Sequence, residues 1–341
     1  MGMDSRLGGQ LDLSLTETTT LTAQAVADRN ARNQFIPRLT LGHVRQQFLE
    51  HFTVRAGRMQ NPMFLAAEYR LANFPNPWVR TPNVVYDLYP LVYLDGAELS
   101  FRYGTPLGQL TLRSGYGWFD FEVPVWGGDR YFPGKGRSRN LHYHSAQLEQ
   151  GPWRIKAGWI QGETDYHDPL LNQALGFLGS FDPLAARRLT IEDKSGSLVS
   201  LGAAYDGPDW LVMGEWVYTF SNGGLTNRHG GYLTVGYHWD RFMPQLTLGY
   251  IDSLAPDTHS AHPIAQGILD QMYQGSNQDQ SSLAVGLNYF VNDNVVVRGQ
   301  VDLIQPHHNS NGPYTMSRTP QYRFDRPDLE CLVTLSLDFV Y

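Results

Sequence analysis

The stretch that decides the fold is residues 329–341, which reads LECLVTLSLDFVY at the end of the chain. From Cys331 onward every second residue is apolar, and the last two of these, Phe339 and Tyr341, are aromatic. The residues between them are largely polar, with Leu332 and Val340 as exceptions. Because side chains alternate between the two faces of a β-strand, this pattern predicts a strand with one apolar and one polar face. The stretch is long enough to cross a bilayer at a tilt.

The same alternation recurs along almost the whole chain. With the terminal stretch it gives about fifteen predicted strands, separated by turn-forming residues. The other predicted strands are residues 7–15, 21–28, 39–48, 52–59, 97–103, 109–118, 141–148, 153–161, 196–205, 210–220, 232–239, 245–251, 281–290 and 295–304. Residues 60–90 interrupt the series, because they are rich in proline, which a central strand excludes.

The composition is that of a barrel with an apolar outside and a wet inside. Of the 341 residues, 42% are apolar and 13% aromatic, but only 17% are charged. The mean hydropathy is nevertheless −0.35, so the chain is not apolar overall. The net charge of −7 argues against a nucleic-acid partner. Cys331 is the single cysteine, which excludes an intrachain disulfide and a metal site built on several thiolates.

The predicted connections alternate between short turns and long loops. Residues 206–209, 240–244 and 291–294 are short, whereas residues 221–230 and 252–280 are long. This alternation is typical of transmembrane antiparallel up-and-down β-barrels, and we interpret residues 1–341 as one such domain. Residues 162–194 form another long outer loop, with a short amphipathic helix at 169–178. Aromatic residues near strand ends fit a membrane-interface girdle and are Trp118, Trp153, Trp210, Trp239 and Tyr341.

An odd number of strands is unusual for a bacterial barrel. We therefore expect about fifteen of sixteen strands to be visible, with one strand lost upstream of Met1. The hypothesis predicts that the first and last strands do not pair as an antiparallel ladder. Residues 1–5 show no signal peptide, so an exported protein requires a leader outside this sequence.

Three features resemble Gram-negative outer-membrane porins of the sixteen-stranded trimeric type, general or substrate-selective. They are the hairpin rhythm, the aromatic end of the chain, and the block RAGR at residues 55–58 before the proline-rich segment. Tyr341 stands where the family more often has phenylalanine. The resemblance implies a bacterial outer-membrane location, a homotrimer, contact with membrane lipid and lipopolysaccharide, and no cofactor. It also implies that residues 60–90 fold inward as a constriction between strands five and six.

The resemblance gives the terminal strand a second role. Leu335, Leu337, Phe339 and Tyr341 would form the signal that the outer-membrane assembly machinery reads. Subunit contacts would use flat outward faces, such as the alanine-rich second strand with Ala23, Ala25 and Ala27.

Charged side chains around the predicted constriction are the candidate pore-lining residues. A basic wall facing loop carboxylates would create a transverse field that sets ion preference. The alternative is that each arginine pairs locally and only keeps the wall wet. The candidates are Arg55, Arg58, Glu68, Arg70, Arg80, Asp87, Glu98, Arg102, Arg113, Arg154, Lys156 and Arg298.

Other chemistry has weaker signals in the sequence. His142 and His144 share a strand face but lack a third metal ligand. The acidic and histidine residues at 163–168 match no calcium-loop spacing. No enzyme motif is present, and Ser145 points away from His142, so we expect neither catalysis nor a bound metal.

We interpret the chain as a porin that passes small hydrophilic solutes or ions by passive diffusion. The sequence leaves open which solute passes and which ion is preferred. A barrel that serves as a docking sleeve for a partner protein is the alternative, and a barrel hydrolase is a weaker one.

Overall fold

The structure, a computed structural model, describes residues 5–29, 34–70, 74–88, 92–127, 130–222, 227–254, 258–308, 310 and 329–340. These residues form one sheet of fifteen strands, in which each strand pairs with its sequence neighbours. All the pairings are antiparallel, as in the β14–β15 ladder that joins Val295–Pro306 to Glu330–Phe339. The predicted all-β, up-and-down architecture is confirmed.

Every predicted strand is present, with bounds that differ by a few residues at most ends. The strands before β14 are β1 (Leu7–Ser14), β2 (Thr19–Arg29), β3 (Phe35–Phe48), β4 (Phe52–Gln60), β5 (Tyr93–Thr105), β6 (Gly108–Gly127), β7 (Arg130–Gln150), β8 (Trp153–His167), β9 (Lys194–Asp206), β10 (Trp210–Ser221), β11 (Arg228–Tyr237), β12 (Phe242–Ser253) and β13 (Gln280–Asn292).

The two faces of the sheet differ as the terminal stretch predicts. On β15, Leu335 is 81% and Leu337 64% exposed, while Thr334 and Ser336 at the alternate positions are partly buried. Exposed leucines, valines and aromatics occupy the same face on the other strands. We call this apolar face the outer face and the opposite one the inner face. None of the helices in the described residues is long and apolar enough to cross a membrane.

The β6–β7 hairpin corrects one predicted loop. Residues 119–139 were expected to be a loop, but β6 and β7 continue as paired strands to Gly127 and Arg130. The alternation carries on beyond the predicted strand ends, where Phe119 and Phe121 stack at 5.2 Å between ring centroids. This aromatic packing supports the extended hairpin.

The edges of the sheet are β1 and β15. Within the part of the chain that the structure describes, β1 pairs with β2 and β15 pairs with β14, and no ladder joins β1 to β15. In an antiparallel sheet the first and fifteenth strands run in the same direction, so an antiparallel ladder between them is ruled out by topology. The upstream sixteenth strand stays a prediction.

Helices occur in the long connections. They are α1 (Asn83–Tyr86), α2 (Pro169–Gly179), α3 (Pro183–Leu189) and α4 (Pro263–Ser276). α2 occupies the region where the sequence indicates a helix, and Asp168 caps it by accepting the N–H of Leu170 at 2.8 Å. Leu178 of α2 and Leu269 of α4 belong to one small apolar cluster. The helices α2, α3 and α4 therefore pack together at the long-loop end of the sheet.

Candidate functional site

The described residues between β4 and β5, which are 61–70, 74–88 and 92, lie against the inner face of the sheet; we call them the inner segment. Prolines keep this stretch out of the ladder, and its apolar side chains need cover from water. Met63, Trp78 and Tyr86 are at most 1% exposed and belong to the main apolar cluster, together with inner-face residues of several strands. The inner segment is therefore packed inside the sheet, at the position where the sequence predicts an inward loop.

Glu215 on β10 is the central anchor of the inner segment. Its carboxylate accepts the backbone N–H of Leu65 at 2.7 Å and the hydroxyl of Tyr86 at 2.6 Å. It also accepts the hydroxyl of Tyr232 on the neighbouring strand at 3.0 Å. Glu215 is 5% exposed, so three donors satisfy a buried carboxylate and join the segment to the wall.

A second set of anchors joins the inner segment to β11–β14. The indole Nε1 of Trp78 lies 2.9 Å from Thr234 Oγ1 and 3.0 Å from Thr247 Oγ1. Asn288 donates to the carbonyl oxygen of Pro77 at 2.8 Å, and Gln300 accepts the N–H of Val79 at 2.9 Å. These bonds hold the segment against the β11–β14 side of the sheet.

Charged groups meet on the β4–β8 side. Glu68 of the inner segment forms an ion pair with Arg113 on β6. Lys156 on β8 donates to the carbonyl oxygen of Phe64 at 2.9 Å and is 3% exposed. Arg154, two residues earlier on the same face of β8, donates to the hydroxyl of Tyr69 at 3.3 Å. This side of the segment therefore faces a basic wall.

Within that wall, Arg55 and Glu98 form an ion pair across β4 and β5, in which two N–H groups share one oxygen. Arg55 Nη2 and Nε lie 2.6 Å and 3.0 Å from the same carboxylate oxygen. The other oxygen of Glu98 accepts the hydroxyl of Tyr143 at 2.8 Å. The Glu98 side chain is fully buried, so the pair fixes where the positive charge of Arg55 is presented.

Several polar inner-face residues of β1 and β3 remain exposed. Gln10, Asp12, Arg45 and Gln47 are exposed, in contrast to the covered residues of β10–β12. The inner segment therefore leaves open the space bordered by the first strands.

The remaining candidate residues are spread over other places. Arg70 pairs with Asp87 at 2.8 Å, so both charges lie within the inner segment itself. Arg80 is partly buried on that segment, and Arg102 is exposed near the short turn that follows β5. Arg298 pairs with Asp338 and donates to the carbonyl oxygen of Phe74 at 2.7 Å. Arg298 is therefore an anchor of the inner segment on the far wall.

Arg58 is the one candidate that the structure places on the wrong face. It was expected to line the pore, but side-chain alternation on β4 puts it on the outer face when Arg55 points inward. There it pairs with Asp95 at 2.7 Å and lies 4.1 Å over the ring of Tyr93. Gly57 beside it has a φ of 126°, a conformation that excludes most side chains.

A groove of about 650 Å³ surrounds the Arg58–Asp95 pair on the outer face. The groove is recessed because small residues, Gly42 and Gly96, line it, and Trp118 also borders it. The groove is a charged, recessed area within a largely apolar surface.

Other predicted groups have the following positions. Leu335 and Phe339 lie exposed on the outer face, as a surface signal requires, whereas Tyr341 lies outside the described residues. Glu163 and Asp165 of the acidic cluster both face Arg139. His144 stacks on Trp159 with 5.7 Å between ring centroids.

Sequence reasoning missed the anchoring roles of Glu215, Tyr86 and Trp78. Glu215 was visible only as one acidic residue on a polar strand face. The sequence offered only an aromatic-rich segment and a strand with a single carboxylate. Such a pattern does not identify which aromatic side chain contacts which strand.

Comparisons with known proteins bear on the fold. No family model and no curated protein matches the sequence. Among solved structures, OmpF of Salmonella typhi in complex with daunomycin has a TM-score of 0.56 at 12% identity, covering 97% of this chain and 89% of that chain. The outer-membrane expressed OmpT of Vibrio cholerae has a TM-score of 0.55 at 10% identity, over 89% and 79% of the two chains.

The outer membrane channel DcaP of Acinetobacter baumannii is a third similar structure. Its TM-score is 0.51 at 9% identity, covering 89% of this chain and 79% of that chain. The strand order, the inner segment and these similarities together show that the chain has the β-barrel fold of Gram-negative outer-membrane porins.

Proposed function

We propose that this protein is a bacterial outer-membrane porin through which small hydrophilic solutes or ions diffuse passively. The exposed outer face is apolar and suits lipid, including the lipid of lipopolysaccharide, while the inner face is polar. The similar structures include a protein described as an outer membrane channel. No cofactor is required, because permeation depends on the shape and charge of the lumen.

The observation that carries the proposal is the asymmetric packing of the inner segment. It is bonded to β9, β10 and β13 through Ser200, Glu215 and Asn288, and it leaves polar inner residues of β1 and β3, such as Gln10 and Arg45, exposed. Irregular backbone at membrane depth is tolerated where it is buried in protein or lines a water-filled cavity. A segment held on one side narrows a barrel and leaves a passage on the other.

The charges around this passage favour anions. Cationic inner-face groups outnumber the carboxylates near them on β3–β8, and two of the cations, Arg45 and Arg102, are exposed. The cations are Arg45, Arg55, Arg102, Arg113, Arg154 and Lys156, and the nearby carboxylates are Glu68, Glu98 and Glu149. The excess positive charge would raise the local concentration of anions.

The outer-face groove supports a homotrimer. An ion pair facing lipid is costly, whereas a neighbouring protein surface can supply polar partners. Gly42, Gly57 and Gly96 have no side chains that project from this surface, so a second copy can approach closely. Ala23 and Ala25 on nearby β2 extend this surface of small residues. β2 is the strand that the sequence indicates for subunit contact. Recognition of β15 by the assembly machinery is part of the same proposal.

Planar-bilayer recording of the purified protein tests the function. We expect stepwise conductance increments and, in a salt gradient, a reversal potential of the sign for anion preference. A protein that inserts into the bilayer without conductance would contradict the porin and favour a docking sleeve. Turnover of an ester substrate in detergent, if absent from a matched blank without the protein, would instead favour a barrel hydrolase.

A further inference from the structure

A group of metal-ligating side chains lies at the long-loop end of the sheet, outside the lumen. Asp252 is the last residue but one of β12, Asp279 precedes β13, and His308 follows β14. One ligand atom from each of these residues lies within 4.8 Å of the other two. The three residues come from separate chain segments, so their proximity is produced by the fold.

The distances in this group approach those of a coordination sphere. His308 Nδ1 lies 3.2 Å from Asp279 Oδ2. His229 Nε2, on β11, lies 3.4 Å from Asp252 Oδ2. Ligand atoms at bond lengths of about 2.1 Å around a tetrahedral ion are about 3.4 Å apart. Each of these two imidazole–carboxylate pairs therefore has close to the donor spacing that one small divalent ion needs.

The ligands are held in place before any ion binds. Asp279 is 5% exposed, and its Oδ1 accepts the backbone N–H of Ser253 at 2.6 Å, which leaves Oδ2 for His308. The carbonyl oxygen of Asp279 accepts the N–H of His307 at 2.9 Å. Asn277 Nδ2 donates to the carbonyl oxygen of His308 at 3.2 Å. Such supporting bonds orient metal ligands and strengthen binding.

The charge at the site is compatible with a cation. Two carboxylates face two imidazoles, and the buried guanidinium of Arg228 attracts Asp279. Arg228 also donates to the carbonyl oxygen of Ser276 at 2.9 Å. One guanidinium against two carboxylates leaves a net negative charge, and mixed imidazole and carboxylate donors suit zinc-like ions better than calcium.

We propose that Asp252, Asp279 and His308 form a Zn²⁺-class metal site, with His229 as the fourth donor. A bound ion would join the ends of β11, β12 and β14 to the segment after α4. The site is independent of the proposed permeation, because its ligands lie outside the lumen.

Binding of ZnCl₂ to the tag-free full chain, first stripped with EDTA and held in lipid or detergent, tests the proposal by calorimetry. We expect one Zn²⁺ per chain. D279N and H308Q should each weaken binding about tenfold or more, the scale seen when a supporting or ligating group is lost. D165N, which changes a β8 carboxylate beside Arg139, is the matched control and should bind like the parent.

Asn at position 279 retains an acceptor for Ser253, and H308Q gives an independent variant should either fold poorly. Absence of stoichiometric binding, or binding that survives both substitutions, would overturn the site. Co²⁺ in place of Zn²⁺ tests the fourth donor. Intense visible absorption typical of four-coordinate Co²⁺, weakened in H229Q, supports His229, whereas a spectrum unchanged in H229Q contradicts its role.

Discussion

The hydroxyl of Tyr86 donates to the carboxylate of Glu215 across 2.6 Å, although 129 residues separate them in the chain. Tyr86 belongs to the inner segment and Glu215 to the barrel wall, so this bond ties the segment to the wall that surrounds it. Leu65 N–H and the Tyr232 hydroxyl share the same carboxylate. The position of the inner segment therefore depends on one acidic side chain.

Replacing this carboxylate tests that dependence. E215A leaves two hydroxyls and one amide without their acceptor, at about 1–3 kcal/mol for each buried group. We expect a lower free energy of unfolding in urea and noisier single-channel currents, because the segment is less firmly held. E192A, which removes an exposed acid from an outer connection, should leave both quantities unchanged. Quiet, parent-like currents from a well-folded E215A protein would contradict the anchoring role.

The indole of Trp78 provides a second anchor, through its burial and through its N–H. W78A removes a side chain that is 1% exposed, and such core truncations cost about 3–5 kcal/mol. We expect destabilisation of this size in urea and a larger mean conductance, since the space vacated lies inside the barrel. W216A removes an indole that is 45% exposed on the outer face and should change conductance little. Equal effects of the two substitutions would argue against Trp78 as an anchor of the segment.

Glu68 and Arg113 should set ion preference together. E68Q removes a carboxylate from the passage, so we expect the reversal potential in a salt gradient to shift toward stronger anion preference. R113E should shift it in the opposite direction, and the exchange E68R/R113E should return it toward the parent value because the pair is restored. If the reversal potential is the same in all three variants as in the parent, the permeation path lies elsewhere. E192Q serves as a charge control outside the lumen.

The Arg58–Asp95 pair should matter for subunit association. Removal of one partner would leave the other charge without its counter-ion in a subunit contact, which is unfavourable. We expect D95A to lower the temperature at which the oligomer dissociates on semi-native gels, and the double change R58A/D95A to be milder than D95A. The matched control is D28A, which breaks a pair of the same 2.7 Å length between Arg38 and Asp28 on β3 and β2.

If D28A and D95A reduce oligomer stability alike, or if the parent protein runs as a monomer under mild conditions, the groove is not a subunit contact.

The sequence by itself determined the sheet. A period of two in strands such as β15 fixes which residues face outward, because a strand offers only two faces, and proline in residues 61–92 excludes that stretch from the ladder. Which charges meet was decided by the tertiary structure. Arg55 and Arg58 lie three residues apart in one motif, yet strand alternation and the register of β4 on β5 send one to Glu98 inside and the other to Asp95 outside. The bond between Glu215 and Tyr86 likewise depends on how the sheet curls around the inner segment, and long-range contacts of that kind leave no local pattern in the chain.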